Sequence, residues 1–501
     1  MTRSSANYLI RKGSIITLIT LISRPLGYIR EAVQAYLFGA TILVDAFVVS
    51  FNFPEMIQNL FFTGATSAFL IPVCSRYLAD REEFSRIYSL FINLSVLVTG
   101  IVSLFFLIFS TPVMALIAPG FSVGGRLIAR NLFIIMIPVI SLHAILSIMK
   151  AFLNAKEQFA APEISGIVWN IVFILFAVFL GRKIGIYSLA LGVSVGAVVQ
   201  ILVQIPYLRK NGIHYTGFPS FRHPSVVEAR RLFTGALIAT SIVPINSFVG
   251  RIIGSYLPAG EVSSLAYAFR IFILPFSLFG VPAYTVLFSK ISALYHEDDT
   301  RAMFSHIDSA IVLLCITLIP STIFLCLWGD VFVKILYERG AFTATETHMT
   351  FRALIGYSTG LLFYALSICF VRIFNAFHDV RTPAMIGLTS IALNGVLAFL
   401  LMKNFGNLGI SLATSIVSLY NFSLLCFLLC RKRGYRPSPE TRLALGKSVL
   451  AALVLLLAVY AVRRVLSPSQ YLPLALSVIL APCVYGFFFK DVLVSFLRRR
   501  A

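Results

Sequence analysis

"SRPLGYIREAVQAYLFGATILVDAF" (residues 23–47) decides how this chain is read. It continues the lipid-like run "IITLITLI" (15–22), yet it carries Arg24, Arg30, Glu31 and Asp45. A bilayer-spanning helix needs about 20 mostly apolar residues. Similar apolar runs recur at 90–107, 167–180 and 449–462. The composition agrees, with 58% hydrophobic and only 12% charged residues, where a soluble protein carries about 25% charged. Spans are expected near 8–38, 43–76, 87–112, 127–153, 162–181, 184–207, 229–257, 262–290, 304–328, 348–376, 383–402, 406–430, 443–462 and 471–495. The expected fold class is an all-α polytopic membrane protein with about fourteen transmembrane helices.

The net charge of +21 has a topological explanation rather than a nucleic-acid one. With the N-terminus on the cytoplasmic side, most loop Lys and Arg fall on that side, among them Arg209-Lys210, Arg230-Arg231, Arg431-Lys432-Arg433 and Arg498-Arg499-Arg500. That is the positive-inside bias, with attraction to anionic headgroups of membrane lipids as a secondary effect. Both termini are expected to be cytoplasmic. The first apolar segment is too long for a cleaved signal peptide and lacks a small-residue cleavage site. The seven cysteines include no CxxC and read as small apolar packing residues.

An internal repeat divides the chain. "FLNAKEQFAAPEISG" (152–166) matches "IFNAFHDVRTPAMIG" (373–387), pairing Asn154 with Asn375, Pro162 with Pro383 and Gly166 with Gly387, all at an offset of 221. "GIYSLA" (185–190) echoes "GISLA" (409–413) with the offset slipped by two or three residues. The expected organisation is two six-helix pseudo-symmetric lobes, residues 1–222 and 223–440. Two extra C-terminal helices (441–501) follow the linker "RKRGYRPSPETR" (431–442). Transporters are often built from such repeats, with the substrate site near the midplane.

The charged spans carry the functional signal. Arg24, Arg30 and Arg270 would together cost about 8–10 kcal/mol at helix centres on insertion scales, so each calls for a partner or a wet cavity. Arg24 and Glu31 share a helix face but lie about 10 Å apart along the axis, too far for a direct pair. Arg30 points about 120° away from Arg24 and is expected to reach Glu31 only poorly. The helix therefore presents incompletely neutralised positive charge, which suits an anionic ligand. Asp45, Glu55 and Arg251 are further candidates, Asp45 also as a helix cap. Pro25, Pro275 and Pro282 mark broken helices of the kind that line transporter cavities. Catalysis has little support, because the seven histidines show no metal-ligand spacing. "HEDD" (296–299) reads as a solvated cap, and no P-loop is present. No catalytic residue, metal site or cofactor is expected.

The stretch 23–54, "SRPLGYIREAVQAYLFGATILVDAFVVSFNFP", resembles the amino-terminal signature of the MurJ/MviN lipid II flippases, S-R-x-L-G-[FY]-x-R-[DE]…F-G…D-A-F…P. "ERGAFTA" (338–344) and "FNAFHDVRTP" (374–383) are similar to two further stretches of that family. The family belongs to the multidrug/oligosaccharidyl-lipid/polysaccharide exporter superfamily. The resemblance implies alternating-access transport of an undecaprenyl-pyrophosphate-linked peptidoglycan precursor across the bacterial inner membrane, and no enzyme activity. It places Arg24, Arg30 and Arg270 among cavity arginines that grip the pyrophosphate. Glu31 becomes their acidic neighbour, Asp45 the second-span aspartate, and the extra helix pair a groove for the lipid tail. Departures stand beside these matches. A family arginine is Gln58, the eighth-span Y-A-D-R reads Tyr267-Ala268-Phe269-Arg270, and the seventh-span acid–arginine pair is Gly250-Arg251. The acids with which some members bind sodium fall at Gly250 and Ala398. Lipid II is the expected substrate. The alternatives are another lipid-linked oligosaccharide, an amphipathic solute, or a membrane enzyme acting on polyprenyl phosphates.

Overall fold

The computed structural model describes residue 19 and residues 23–63, 65–218, 220, 223–297, 299–465 and 471–489. Its elements are all helical. They begin with α1 (23–38), α2 (Ile42–Ile57), a π-helical turn π1 (Gln58–Thr63), α3 (Ala65–Ser75), α4 (Arg81–Ile108) and α5 (Ser110–Ile117). Then come α6 (Val123–Met136), α7 (Pro138–Ala155), α8 (Ala160–Ile184), α9 (Tyr187–Lys210) and α10 (Pro224–Gly254). The remainder are α11 (Glu261–Pro275), π2 (Phe276–Gly280), α12 (Val281–His296), α13 (Thr300–Tyr337), α14 (Ala344–Ser358), α15 (Leu361–Ala376), α16 (Arg381–Phe405), α17 (Asn407–Arg433), α18 (Pro439–Val465) and α19 (Tyr471–Phe488).

Among the described residues, nine helices are long and apolar enough to cross a membrane, or ten with the pair α14–α15, bent by 48°. Several expected spans are broken or longer than the sequence suggested. Span two divides into α2, π1 and α3, with Pro54 and Pro72 inside the helices, because each proline removes a backbone donor. Span eight is interrupted by π2 between Pro275 and Pro282. Span nine, expected at 304–328, is the 38-residue α13, about 57 Å long at 1.5 Å per residue, and so extends beyond the hydrocarbon core. Most of the expected first span before residue 23, and 490–495 of the last, lie outside the described residues.

The chain forms two compact units. Unit 1 comprises Met1–Ser263 with Arg339–Thr343, and unit 2 comprises Ser264–Glu338 with Ala344–Ala501. Within unit 1, α10 packs on α2, π1 and α3. A buried cluster around Phe84, Phe152 and Leu208 joins α3, α4, α7 and α9. The segment after α9 lies along α4, where Ser85, Ser89 and Asn93, each a helical turn apart, bond the backbone of Gly212, His214, Thr216 and Gly217.

The repeat is written into backbone geometry. Glu157 and His378, 221 residues apart, both adopt φ 58°, and their amides donate to Asn154 and Asn375 carbonyls at 2.9 and 3.0 Å. Gly185 (φ 62°, ψ −141°) and Gly406 (φ 61°, ψ −134°) end α8 and α16 identically, again 221 apart. The slip expected between "GIYSLA" and "GISLA" therefore does not extend to the turns, which keep the 221 offset. Left-handed glycines fix the turn register, and the serine-leucine-alanine match shifts along the helix that follows.

Small residues set the helix spacing. Gly192 and Gly196 of α9 lie against Phe173, Phe176 and Trp169 of α8, and a Cβ on Gly196 would come 2.6 Å from the indole. Gly356 of α14 and Gly360, which caps the start of α15, face Ser411 and Ser415 of α17 in unit 2, and the Ser415 hydroxyl donates to the Gly356 carbonyl at 2.6 Å. Such small-xxx-small faces allow close helix contact in lipid. The appended helices dock on α13. Asp308 accepts from the Tyr435 hydroxyl at 2.5 Å and the Ser438 amide at 3.0 Å. Asp330 pairs with Arg463 at 2.6 Å, and Arg463 also lies over Trp328. These two acids are 22 residues apart, about 33 Å along the helix, close to a hydrocarbon thickness of about 30 Å. An apolar seam containing Val331, Leu455 and Tyr485 fills the interval.

Gly340 and Gly446 provide a paired test of this packing. Gly340 has φ +63° and a Cβ there would collide with Tyr36, whereas Gly446 in α18 has nothing within 4 Å. Thermal unfolding of the detergent-purified chain should place Gly340→Ala clearly below the parent, since the left-handed conformation alone costs an L residue about 1–2 kcal/mol. Gly446→Ala should match or exceed the parent.

Candidate functional site

On α1, Arg24 is exposed, while Arg30 and Glu31 turn into unit 1. The Arg30 Nη2 lies 3.0 Å from Glu31 Oε1, with the two side chains 13% and 11% exposed. This corrects the expectation of a poor reach. Adjacent positions diverge around a helix, but the long arginine stem bends back once the guanidinium has a seat. That seat is aromatic, with the Trp169 ring centre at 4.9 Å and Phe173 at 5.3 Å. A desolvated cation over such rings gains about 2 kcal/mol. Trp169 is itself held, its Nε1 donating to the Val193 carbonyl at 3.3 Å and its edge resting on Gly196. On α2, Phe51 stacks on Trp169 and Phe47 packs at a tilt against Phe173.

Asp45 is 1% exposed. Its Oδ2 accepts from the Gly260 amide at 2.6 Å and its Oδ1 from the Ser263 amide at 2.7 Å. These donors surround the start of α11, so Asp45 supplies from α2 the anionic cap that a helix N-terminus favours. The cap expected of Asp45 thus falls not on its own helix but on another. Beside it, the Ala341 amide donates to the Tyr36 carbonyl at 2.8 Å. Gly39 (φ +64°) admits the Ala341 carbonyl where a Cβ would stand 2.5 Å away. The "FGA" and "ERGAFTA" stretches are thus two halves of one backbone interlock.

Gln58 opens π1, half-buried, its backbone N–H donating to the Glu55 and Pro54 carbonyls. Arg251 lies in the last turn of α10, half-buried. In unit 2, Arg270 is exposed on α11, five residues before the proline that precedes π2. Its neighbour Phe269 packs edge-on to Tyr357 at 5.4 Å, where the family's acid would stand. In the turn before α16, Asp379 accepts from the Thr382 hydroxyl and amide and pairs with Lys432 at 3.2 Å. Burial opposes its charge, but those contacts prevail and hold the carboxyl below the usual carboxylate range. At the start of α13, Asp299 accepts from the Ala302 amide at 2.9 Å, the cap that "HEDD" suggested. Among the described residues, no group of three or more His, Cys, Asp or Glu is placed to hold a metal ion.

Sequence reasoning missed Trp169, Phe173 and the Gly260–Ser263 turn. The Gly192-x-x-x-Gly196 spacing was a usable signal for the first two, since it announces a close helix neighbour. Nothing local announces that an aspartate in one span will cap another 215 residues later.

Apolar helices crossing a membrane, broken next to embedded arginines, define a polytopic transport protein. Residues 34–481 match the family model described as Lipid II flippase MurJ, and the chain belongs to that family. A relative from Buchnera aphidicola subsp. Baizongia pistaciae, named probable lipid II flippase MurJ, is 30% identical over 453 residues, covering 89% of this chain and 88% of its own. A solved structure of a lipid II flippase MurJ in an inward closed conformation matches with TM-score 0.83 and 26% identity, over 95% of this chain and 99% of that one. A multidrug-resistance transporter in an inward-facing conformation shares the fold at TM-score 0.71 and 14% identity, over 82% of this chain and 94% of its own.

If Asp45 caps α11, Asp45→Ala leaves two buried amides unsatisfied, each costing about 1–3 kcal/mol. Hydrogen exchange measured on the 257–266 peptide should then accelerate at least about tenfold, with little change in peptides from α18.

Proposed function

We propose that this protein is a flippase that carries a polyprenyl-pyrophosphate-linked peptidoglycan precursor, lipid II, across the bacterial inner membrane by alternating access. The observation that carries the reading is the family match along nearly the whole chain, joined to Arg24 and Arg270 exposed on α1 and α11. A pyrophosphate is the part of such a precursor that demands cations in a low-dielectric setting, and guanidinium groups meet it with paired, charge-assisted hydrogen bonds. Arg24 and Arg270 serve that group directly. Arg30, neutralised by Glu31 and seated on Trp169, shapes the wall behind it. Arg251 and Gln58 contribute polar lining, and Asp45 supports the site through α11.

In this reading both termini are cytoplasmic, and the lobes 1–222 and 223–440 are the moving parts. The pair 441–501 accommodates the polyprenyl tail along its apolar flank. Gly250 and Ala398 stand where sodium-binding acids would be needed, so coupling does not run through that site. Gln58 and Phe269 favour one second reading, transport of a different lipid-linked glycan by the same route.

Rescue of a bacterium depleted of its own lipid II flippase tests the assignment. The parent chain should restore growth. At matched membrane levels Arg24→Ala and Arg270→Ala should fail, since each loses a contact worth about tenfold in binding. The Lys variants should be impaired because the planar fork is lost. Normal growth with both Ala variants would make these arginines structural and sink the pyrophosphate role. In reconstituted transport, Gln58→Arg should match or exceed the parent. Abolished transport would indicate a ligand other than the family's.

A further inference from the structure

Unit 2 holds another arginine inside an apolar span. Arg372 lies in α15, "LLFYALSICFVRIFNA", which contains no acid. It is exposed, and its guanidinium carbon stands 5.5 Å from the Tyr284 ring centre on α12. Among the described residues no carboxylate pairs with it. Its orientation follows from the helix period. Tyr364, Ile368 and Arg372 are successive fourth residues and share a side, and Tyr364 packs on Phe272 and Phe276 at 5.4 and 5.3 Å. Arg372 therefore faces the broken span α11–π2–α12. Tyr284 continues the track by stacking on Phe276. Further along, Tyr295 of α12 and Phe377 at the end of α15 hold Arg433 at 5.9 and 5.0 Å.

A ring fixes a guanidinium by its face and leaves the N–H edge for an oxyanion, whereas a carboxylate would occupy that edge. Tyr284 is fourteen residues past Arg270, about 21 Å along the span. A pyrophosphate cannot bridge that distance. We infer that Arg372, seated on Tyr284, is a loading subsite for the phosphate of a polyprenyl-anchored substrate, a station distinct from Arg270 and nearer the basic face that begins at Arg433. This inference rests on the proposed function for its substrate class.

The test uses the full chain in phosphatidylethanolamine nanodiscs, with undecaprenyl pyrophosphate and undecaprenol as probes. Arg372→Gln should weaken pyrophosphate binding about tenfold and leave undecaprenol binding and the melting temperature unchanged. Tyr284→Leu should weaken it by a smaller factor, and Tyr284→Phe should restore it. Unchanged binding in Arg372→Gln, with binding lost in Arg270→Ala, would overturn the subsite and leave the proposed function standing. Equal competition by phosphatidylglycerol would make the site a bulk-lipid headgroup site and overturn the loading role. A parent chain that binds the pyrophosphate no better than undecaprenol would defeat both readings.

Discussion

A charge carried on a lipid-spanning helix must find its partner inside the protein, and that constraint organises much of this molecule. Arg30 satisfies it with the neighbouring Glu31 and two rings of α8. Asp45 satisfies it with the amides of Gly260 and Ser263, and Asp330 with Arg463. Each solution draws helices together that sequence leaves far apart. Arginines 24, 270 and 372 differ from these in remaining exposed on their helices.

The aromatic seat of Arg30 depends in turn on the absence of side chains elsewhere. Trp169 can stand where it does because Gly196 offers no Cβ, and α8 and α9 meet closely for the same reason. In unit 2 a different helix pairing comes close through missing side chains, at Gly356 and Gly360 against serines of α17. The two halves of the repeat share turn geometry to within a few degrees at Gly185 and Gly406. Helix ends are more constrained than helix faces, because a left-handed turn admits few residues, while an interhelical surface admits many.

Much of the fold was legible in the sequence. Apolar runs announce spans, and Pro275 and Pro282 announce where one of them breaks. The repeat was readable through Asn154 and Asn375. The great length of α13 was not, because Gly329, Asp330 and Lys334 interrupt the apolar run and look like its end until Asp330 is seen paired with Arg463. Of the candidate site, the residue types were legible and their partners were not. Adjacent Arg30 and Glu31 looked badly placed for each other, and only the rings of α8, more than 130 residues away, explain why they meet. Asp45 read as a possible cap, but the helix it caps could not be named from local pattern.

The five residues Arg339–Thr343 belong to unit 1, although the chain on both sides of them belongs to unit 2. Unit 1 is therefore discontinuous along the polypeptide. No single cut in the chain divides the protein into two complete pieces, because an amino-terminal fragment ending near Ser263 lacks the strand of backbone that pairs with Tyr36. During synthesis, α1 can emerge and insert long before its partner loop exists, so unit 1 reaches its finished form only after α13 has been made. Assembly of the first half waits on the second.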